Sequence, residues 1–87
     1  MKKSEARIII FLSQVTHDLK YATMISRKLD MDYSYVLEIL YKMISKGMVE
    51  MNQDHNKKLY TLINEFSLIK EAKEVMNDGR QTDLSTR

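Results

Sequence analysis

The chain has no cysteine, no proline and no tryptophan, and its only glycines are Gly47 and Gly79. Without cysteine there is no disulfide framework and no thiolate-ligated zinc, which suits a reducing compartment. With hydrophobic residues at 44% and no proline, the composition is that of a folded domain, not of a linker or a low-complexity segment. Two isolated glycines leave no glycine-rich loop to cradle a phosphate. Charge of one sign is nearly absent too: 14 basic residues against 12 acidic give a net +2. That permits a nucleic-acid partner without requiring one. Long apolar runs are also missing. The longest, Ile8-Ile9-Ile10-Phe11-Leu12, is too short to cross a bilayer, and it follows Glu5 and Arg7 with no small-residue cleavage site after it. No membrane partner and a cytoplasmic location are the expectation.

The side chains of metal and covalent chemistry are equally sparse. His17 and His55 are far apart with no histidine at helical spacing from either, so no metal site is expected. Ser13, His17 and Asp18 are near neighbours in sequence, which rarely converge as a nucleophile, a base and its orienting acid. No enzymatic activity and no cofactor are expected. The methionines, among them Met24, Met31, Met43, Met48, Met51 and Met76, suit adaptable core packing.

Most of the organisation is carried by Thr23 to Met51. Ile25 and Leu29 stand at helical spacing, and Val36, Leu40 and Met43 or Ile44 repeat the pattern, with Leu37 and Ile39 widening the stripe. Between the two patterns Asp32 offers the short acceptor that caps a new helix, and Met31 can plug the corner. Gly47 is placed to end the second helix in the left-handed conformation. Helices are therefore predicted over about Lys20 to Leu29 and Tyr33 to Lys46.

On the N-terminal side, a first helix is predicted from Ser4, its expected cap, to about Gln14, with Glu5 in the first turn. Ile8, Phe11, Leu12 and Val15 form one face, while Ile9 and Ile10 leave apolar surface elsewhere, so this helix needs more than one neighbour. A polar break at Thr16 to Leu19 leaves room for a minimal strand at Leu19. On the C-terminal side, the alternating Met48 to Asn52 and the strand formers Leu59 to Ile63 flank the turn formers and bases Gln53 to Lys58, which predicts a hairpin. Asn64 is expected to cap a fourth helix carrying Phe66, Ile69, Ala72 and Met76 on one face and ending at Asn77-Asp78-Gly79, before a polar tail. A single domain is expected over residues 1–79, with residues 80–87 as a frayed tail.

This order of elements resembles the winged helix-turn-helix superfamily, and in particular the small MarR-type and ArsR-type transcriptional regulators of bacteria, archaea or viruses. The residues carrying the resemblance are Ile25 to Asp32, then Val36, Ile39, Leu40 and Met43, and above all Lys46-Gly47-Met48-Val49-Glu50, which looks like the corner leading from recognition helix into wing. It implies a mainly α fold with a small β-hairpin: helix, short strand, helix, helix, two-stranded wing over residues 48–63 and C-terminal helix.

The resemblance also implies a function: double-stranded DNA binding by a homodimeric transcriptional regulator whose recognition helix, residues 33–46, enters the major groove while the wing touches backbone or minor groove. Carried over by position, Tyr33, Ser34, Leu37, Glu38, Tyr41 and Lys42 face the groove, with Tyr35 partly so. Lys20, Arg27, Lys28, Lys46, His55, Asn56, Lys57 and Lys58 supply phosphate contacts at the margins. Glu38 could accept from a cytosine amino group. The dimer would form through the first and fourth helices (residues 64–78 for the latter), using Ile9, Ile10, Phe66, Ile69, Val75 and Met76. No effector is identified.

One departure from the usual pattern matters. Recognition helices of this kind carry serine, threonine and arginine, whereas this one carries three tyrosines, Leu37 and Glu38, and its charges cancel. A neutral helix contributes little phosphate neutralisation. The alternative is a protein-interaction module that presents Tyr33, Leu37 and Tyr41 as an apolar docking face.

Overall fold

A computed structural model of the chain describes residues 1–85, with side chains described through residue 77. The elements are α1 (Lys3–Gln14), a 3-10 turn (His17–Leu19), α2 (Ala22–Leu29), α3 (Tyr33–Ser45), β1 (Val49–Asp54), β2 (Lys57–Leu62) and α4 (Glu65–Ser85). The mainly helical fold with one antiparallel hairpin is the one expected from the sequence.

The helix-turn-helix corner forms as its residue types dictate. Asp30 ends α2 with φ of 53°, a left-handed conformation that a short polar side chain tolerates. The Met31 amide and the Ser26 hydroxyl then close the turn, onto the Ser26 carbonyl at 2.9 Å and the Met31 carbonyl at 2.6 Å. Asp32 caps α3 by accepting from the Tyr35 amide at 3.1 Å, and Met31 packs against the core. At the far end Gly47 takes φ of 74°. Its amide donates to Ile44 and that of Met48 to Met43, at 3.0 and 2.9 Å, the paired bonds of a Schellman ending, with Met48 and Met43 both against the core.

Several boundaries differ from expectation. α1 starts at Lys3 and its cap is Lys2, not Ser4: the Glu5 carboxylate reaches back to the Lys2 amide at 3.0 Å, so no hydroxyl is needed. The strand expected at Leu19 is a 3-10 turn, and α2 begins only at Ala22. The Lys20 carbonyl accepts from the Tyr60 amide at 2.8 Å, which holds the segment before α2 against β2. The hairpin turn is shorter than the stretch from Gln53 to Lys58, because Asp54 and Lys57 pair as its last rung and leave only His55 and Asn56 between. His55, with φ of 57°, supplies the positive φ that so tight a turn demands.

α4 does not stop at Asn77-Asp78-Gly79 but continues to Ser85, so residues 80–85 of the expected tail are helical and only 86–87 lie outside the described residues. A glycine inside a helix costs only about 1 kcal/mol relative to alanine, and Arg80, Gln81 and Leu84 are good helix formers.

α1 is the centre of the packing, in contact with α4, β2, α2 and α3. That explains its broad apolar surface. Ile8, Ile9 and Leu12 are fully buried in a core shared with Ile25, Val36, Leu40, Met43, Val49, Tyr60, Leu68 and Ala72. Ile9, expected at a dimer interface, is therefore a core residue of the chain and has no surface to offer a partner.

Glu5 links the two ends of the core. It is 5% exposed, and besides the Lys2 amide it meets the Lys46 ammonium at 3.3 Å, tying the start of α1 to the end of α3. Burial pushes its carboxyl up, but the Lys2 hydrogen bond and the Lys46 ammonium outweigh that and hold it below the usual carboxylate range. A depressed folded-state pKa contributes stability above the ordinary carboxylate value, and that contribution is lost as pH falls through the folded value. Stability should thus fall on going from neutral pH to about pH 3, and by less in Glu5→Gln. Urea denaturation of both proteins at the two pH values measures this; equal losses would remove Glu5 from the account.

Candidate nucleic-acid interface

Helical spacing divides the outer surface of α3 into two flanks. Tyr33, Leu37 and Tyr41, four residues apart, line an open cleft of about 420 Å³ together with Tyr21, Ala22 and Thr23 from the start of α2 and Asn56, Lys57, Lys58 and Tyr60 from the hairpin. Tyr33 and Tyr41 are 48% and 57% exposed, whereas Tyr60 is buried. Burial pushes the Tyr60 phenol up, and the neighbouring Tyr41 and Tyr33 add to this, so it stays a neutral donor at physiological pH.

The Lys57 ammonium stands 4.8 Å over the Tyr21 ring, a cation–π contact that holds the wing's first lysine at the rim of the cleft. Nearby lies Asp18, whose carboxyl is held low by the Thr16 hydroxyl at 2.7 Å and by the charge of Lys57. Tyr21 makes no side-chain cap for α2, whose first turn, with Ala22 and Thr23, lines the edge of the same cleft.

The second flank looks the other way. Tyr35, Glu38, Lys42 and Lys46 line a smaller hollow of about 170 Å³ with Lys2, Ser4, Glu5 and Ile39. The Tyr35 hydroxyl reaches Ser4 Oγ at 3.3 Å, and Lys46 is engaged with Glu5. These two residues of the sequence-derived set thus lie towards the start of α1 and do not line the cleft. Glu38 and Lys42 pair with each other at 3.6 Å in solvent, a contact of little energetic consequence that leaves both within reach of a partner. Ser34, Arg27 and Lys28 are exposed, Lys20 is half-buried, and His55 stands at the hairpin tip with its ring 3.7 Å from Asp54.

The structure thus brings Tyr33, Leu37, Tyr41, Asn56, Lys57 and Lys58 together and adds Tyr21, Thr23 and Tyr60, which sequence reasoning did not select. Tyr60 shares with Leu59 a strand position buried on both faces, and nothing in a period-two pattern separates that from an ordinary core strand. Of the expected dimer-interface set on α1 and α4, Phe66 is 83% exposed, while Ile10, Ile69, Val75 and Met76 are half-buried against the core. Among the described residues no helix is long and apolar enough to cross a membrane, and no group of three or more acidic or histidine side chains could hold a metal ion.

No protein-family profile and no curated protein matches the chain. Solved structures do. The multidrug-efflux regulator MepR of Staphylococcus aureus superposes with a TM-score of 0.75 at 16% identity over 97% of this chain and 64% of its own. A MarR/EmrR family transcriptional regulator from Acinetobacter gives 0.77 at 22% identity over 98% of this chain and 61% of its own. ZitR of Lactococcus lactis, solved in complex with DNA, gives 0.72 at 16% identity over 99% and 60%. The chain thus spans less than two-thirds of the length of these regulators. Shared fold at such identities leaves function to be argued from the site. The chain is a winged helix-turn-helix of the architecture found in MarR-type regulators, with α2 and α3 as the paired helices and β1-β2 as the wing.

Proposed function

We propose that this protein binds double-stranded DNA and regulates transcription as a homodimer, with α3 laid in the major groove and the wing on the adjacent backbone. The observation that carries this reading is the one concave face on which the outer row of α3, the first turn of α2 and the wing residues Asn56, Lys57 and Lys58 converge. Helix amides and lysines position phosphates, and tyrosine hydroxyls can add to them. The likeness to regulators solved with DNA supports it.

The test is duplex affinity as a function of salt. Binding should weaken as salt rises, with a log–log slope that counts the phosphates neutralised. No binding to any duplex at low salt would overturn the proposal and favour the protein-docking reading of Tyr33, Leu37 and Tyr41.

The homodimer is proposed through the outer faces of α1 and α4, where Ile10, Phe66, Ile69, Val75 and Met76 remain. Two recognition helices would then sit about one helical turn, ~34 Å, apart on a pseudo-palindromic site. Phe66 is so exposed that replacing it with glutamate should leave the fold within about 0.5 kcal/mol. Sedimentation of Phe66→Glu should show a shift from dimer towards monomer; an unchanged mass would remove Phe66 from the interface.

A further inference from the structure

Two features of the cleft are left over after duplex binding has been assigned to it. One is aromatic content: Tyr21, Tyr33, Tyr41 and Tyr60 all line it, with Leu37 between the two on α3. The other is what its α3 row lacks. The row Tyr33, Leu37, Tyr41 holds no arginine, lysine, asparagine or glutamine, the side chains that read base edges in an intact major groove. In a duplex the faces of the bases are covered by their neighbours, so ring faces on the protein gain nothing from them. Aromatic side chains recognise a base through its π-face only once it has left the stack.

We propose that the cleft between α3 and the wing receives unpaired nucleobases of DNA, which stack on Tyr33 and Tyr41 while their phosphates meet Lys57 and Lys58. This rests on the DNA-binding reading above and adds to it a preference for DNA with an unpaired or extruded base. The dimensions agree. Tyr33 and Tyr41 are rooted about 12 Å apart along the helix axis, which leaves room for a stack of up to two bases at a spacing of ~3.4 Å. The apolar Leu37 lies between them. The volume of about 420 Å³ falls within the roughly 300–1,000 Å³ of clefts that enclose a small organic group.

Charge and polarity agree as well. Lys57 is held beside the ring of Tyr21, and Lys58 lines the same cleft, so cations accompany the aromatic rings as a nucleotide requires. Tyr60 supplies a neutral phenol in the depth of the cleft that can donate to or accept from a base edge.

The experiment compares the full chain binding three labelled DNAs of one sequence at fixed salt: a matched duplex, the same duplex with a single 2-aminopurine bulge, and the single strand. The bulged duplex should bind at least about tenfold more tightly than the matched one, with quenching of 2-aminopurine fluorescence as the base stacks on tyrosine. Tyr41→Ala and Tyr33→Ala should each lower affinity for the bulged duplex by more than for the matched one, abolishing most of that preference and the quenching, and Tyr41→Phe should retain both. Equal affinity for matched and bulged DNA, or equal weakening of both by Tyr41→Ala, overturns this inference and leaves duplex binding standing. Absence of binding to all three DNAs overturns both readings together.

Discussion

Replacing Lys57 and Lys58 together by alanine is expected to weaken duplex binding by about tenfold to a hundredfold and to flatten the salt slope by up to about two units. Each phosphate contact contributes about 0.9 to that slope through counterion release, and a tenfold to hundredfold loss corresponds to about 1.4–2.7 kcal/mol shared between the two contacts. The effect should be large because these two lysines are the cations that line the cleft. Lys46, at the end of α3, points to Glu5 on the second flank. Lys57 is already restrained over Tyr21, so it loses less rotamer freedom on binding than an unrestrained surface lysine would. Asp18, close enough to feel the Lys57 charge, sets a limit on the gain, and Asp18→Asn should strengthen binding in the same assay. Both lysines are exposed, so the double variant should unfold at the same urea concentration as the parent to within about 0.5 kcal/mol. Fluorescence anisotropy over a series of salt concentrations measures affinity and slope at once, and an unchanged slope would show that the wing does not touch phosphate.

Leu40→Ala is expected to destabilise the fold by about 2–5 kcal/mol, the range for truncating a fully buried leucine. Leu40 is 0% exposed and shares the core with Ile8, Ile9, Leu12 and Met43. In a domain of 87 residues, where total stability is at the lower end of about 5–15 kcal/mol, such a loss populates the unfolded state appreciably. Leu37→Ala, three residues earlier and facing the cleft, should cost much less stability and act on binding instead. Urea denaturation separates the two, and similar losses for both would contradict the assignment of core and outer faces of α3.

The contrast between those two leucines shows what was legible in the sequence. Helical spacing placed Val36, Leu40 and Met43 inward, Asp32 as a cap and Gly47 as a left-handed ending, because each depends on chemistry within a few residues. What could not be read depends on contacts distant in sequence. Ile9 looks like spare apolar surface until α4 and β2 close over α1. Tyr35 is one more tyrosine on an outward-looking helix until its hydroxyl meets Ser4, 31 positions earlier. Ser4 is a better cap than Lys2 by propensity alone, yet the carboxylate of Glu5, fixed by Lys46 from the far end of α3, moves the helix start. The cleft itself was half legible. Lys57, Lys58, Tyr33, Leu37 and Tyr41 were marked by position in helix and wing, while Tyr21 and Tyr60 join them only because the Lys20 carbonyl accepts from the Tyr60 amide and draws the segment before α2 against the wing.

The most direct test of the account is an amide chemical-shift map of the protein titrated with a duplex oligonucleotide. The largest changes should fall on Ala22 and Thr23, on Tyr33, Leu37 and Tyr41, and on Asn56 to Lys58, with α4 and the second flank of α3 around Tyr35 and Lys46 little affected. Changes concentrated on α4, or no changes at a DNA concentration well above the protein's, would contradict the placement of the DNA-binding face between α3 and the wing.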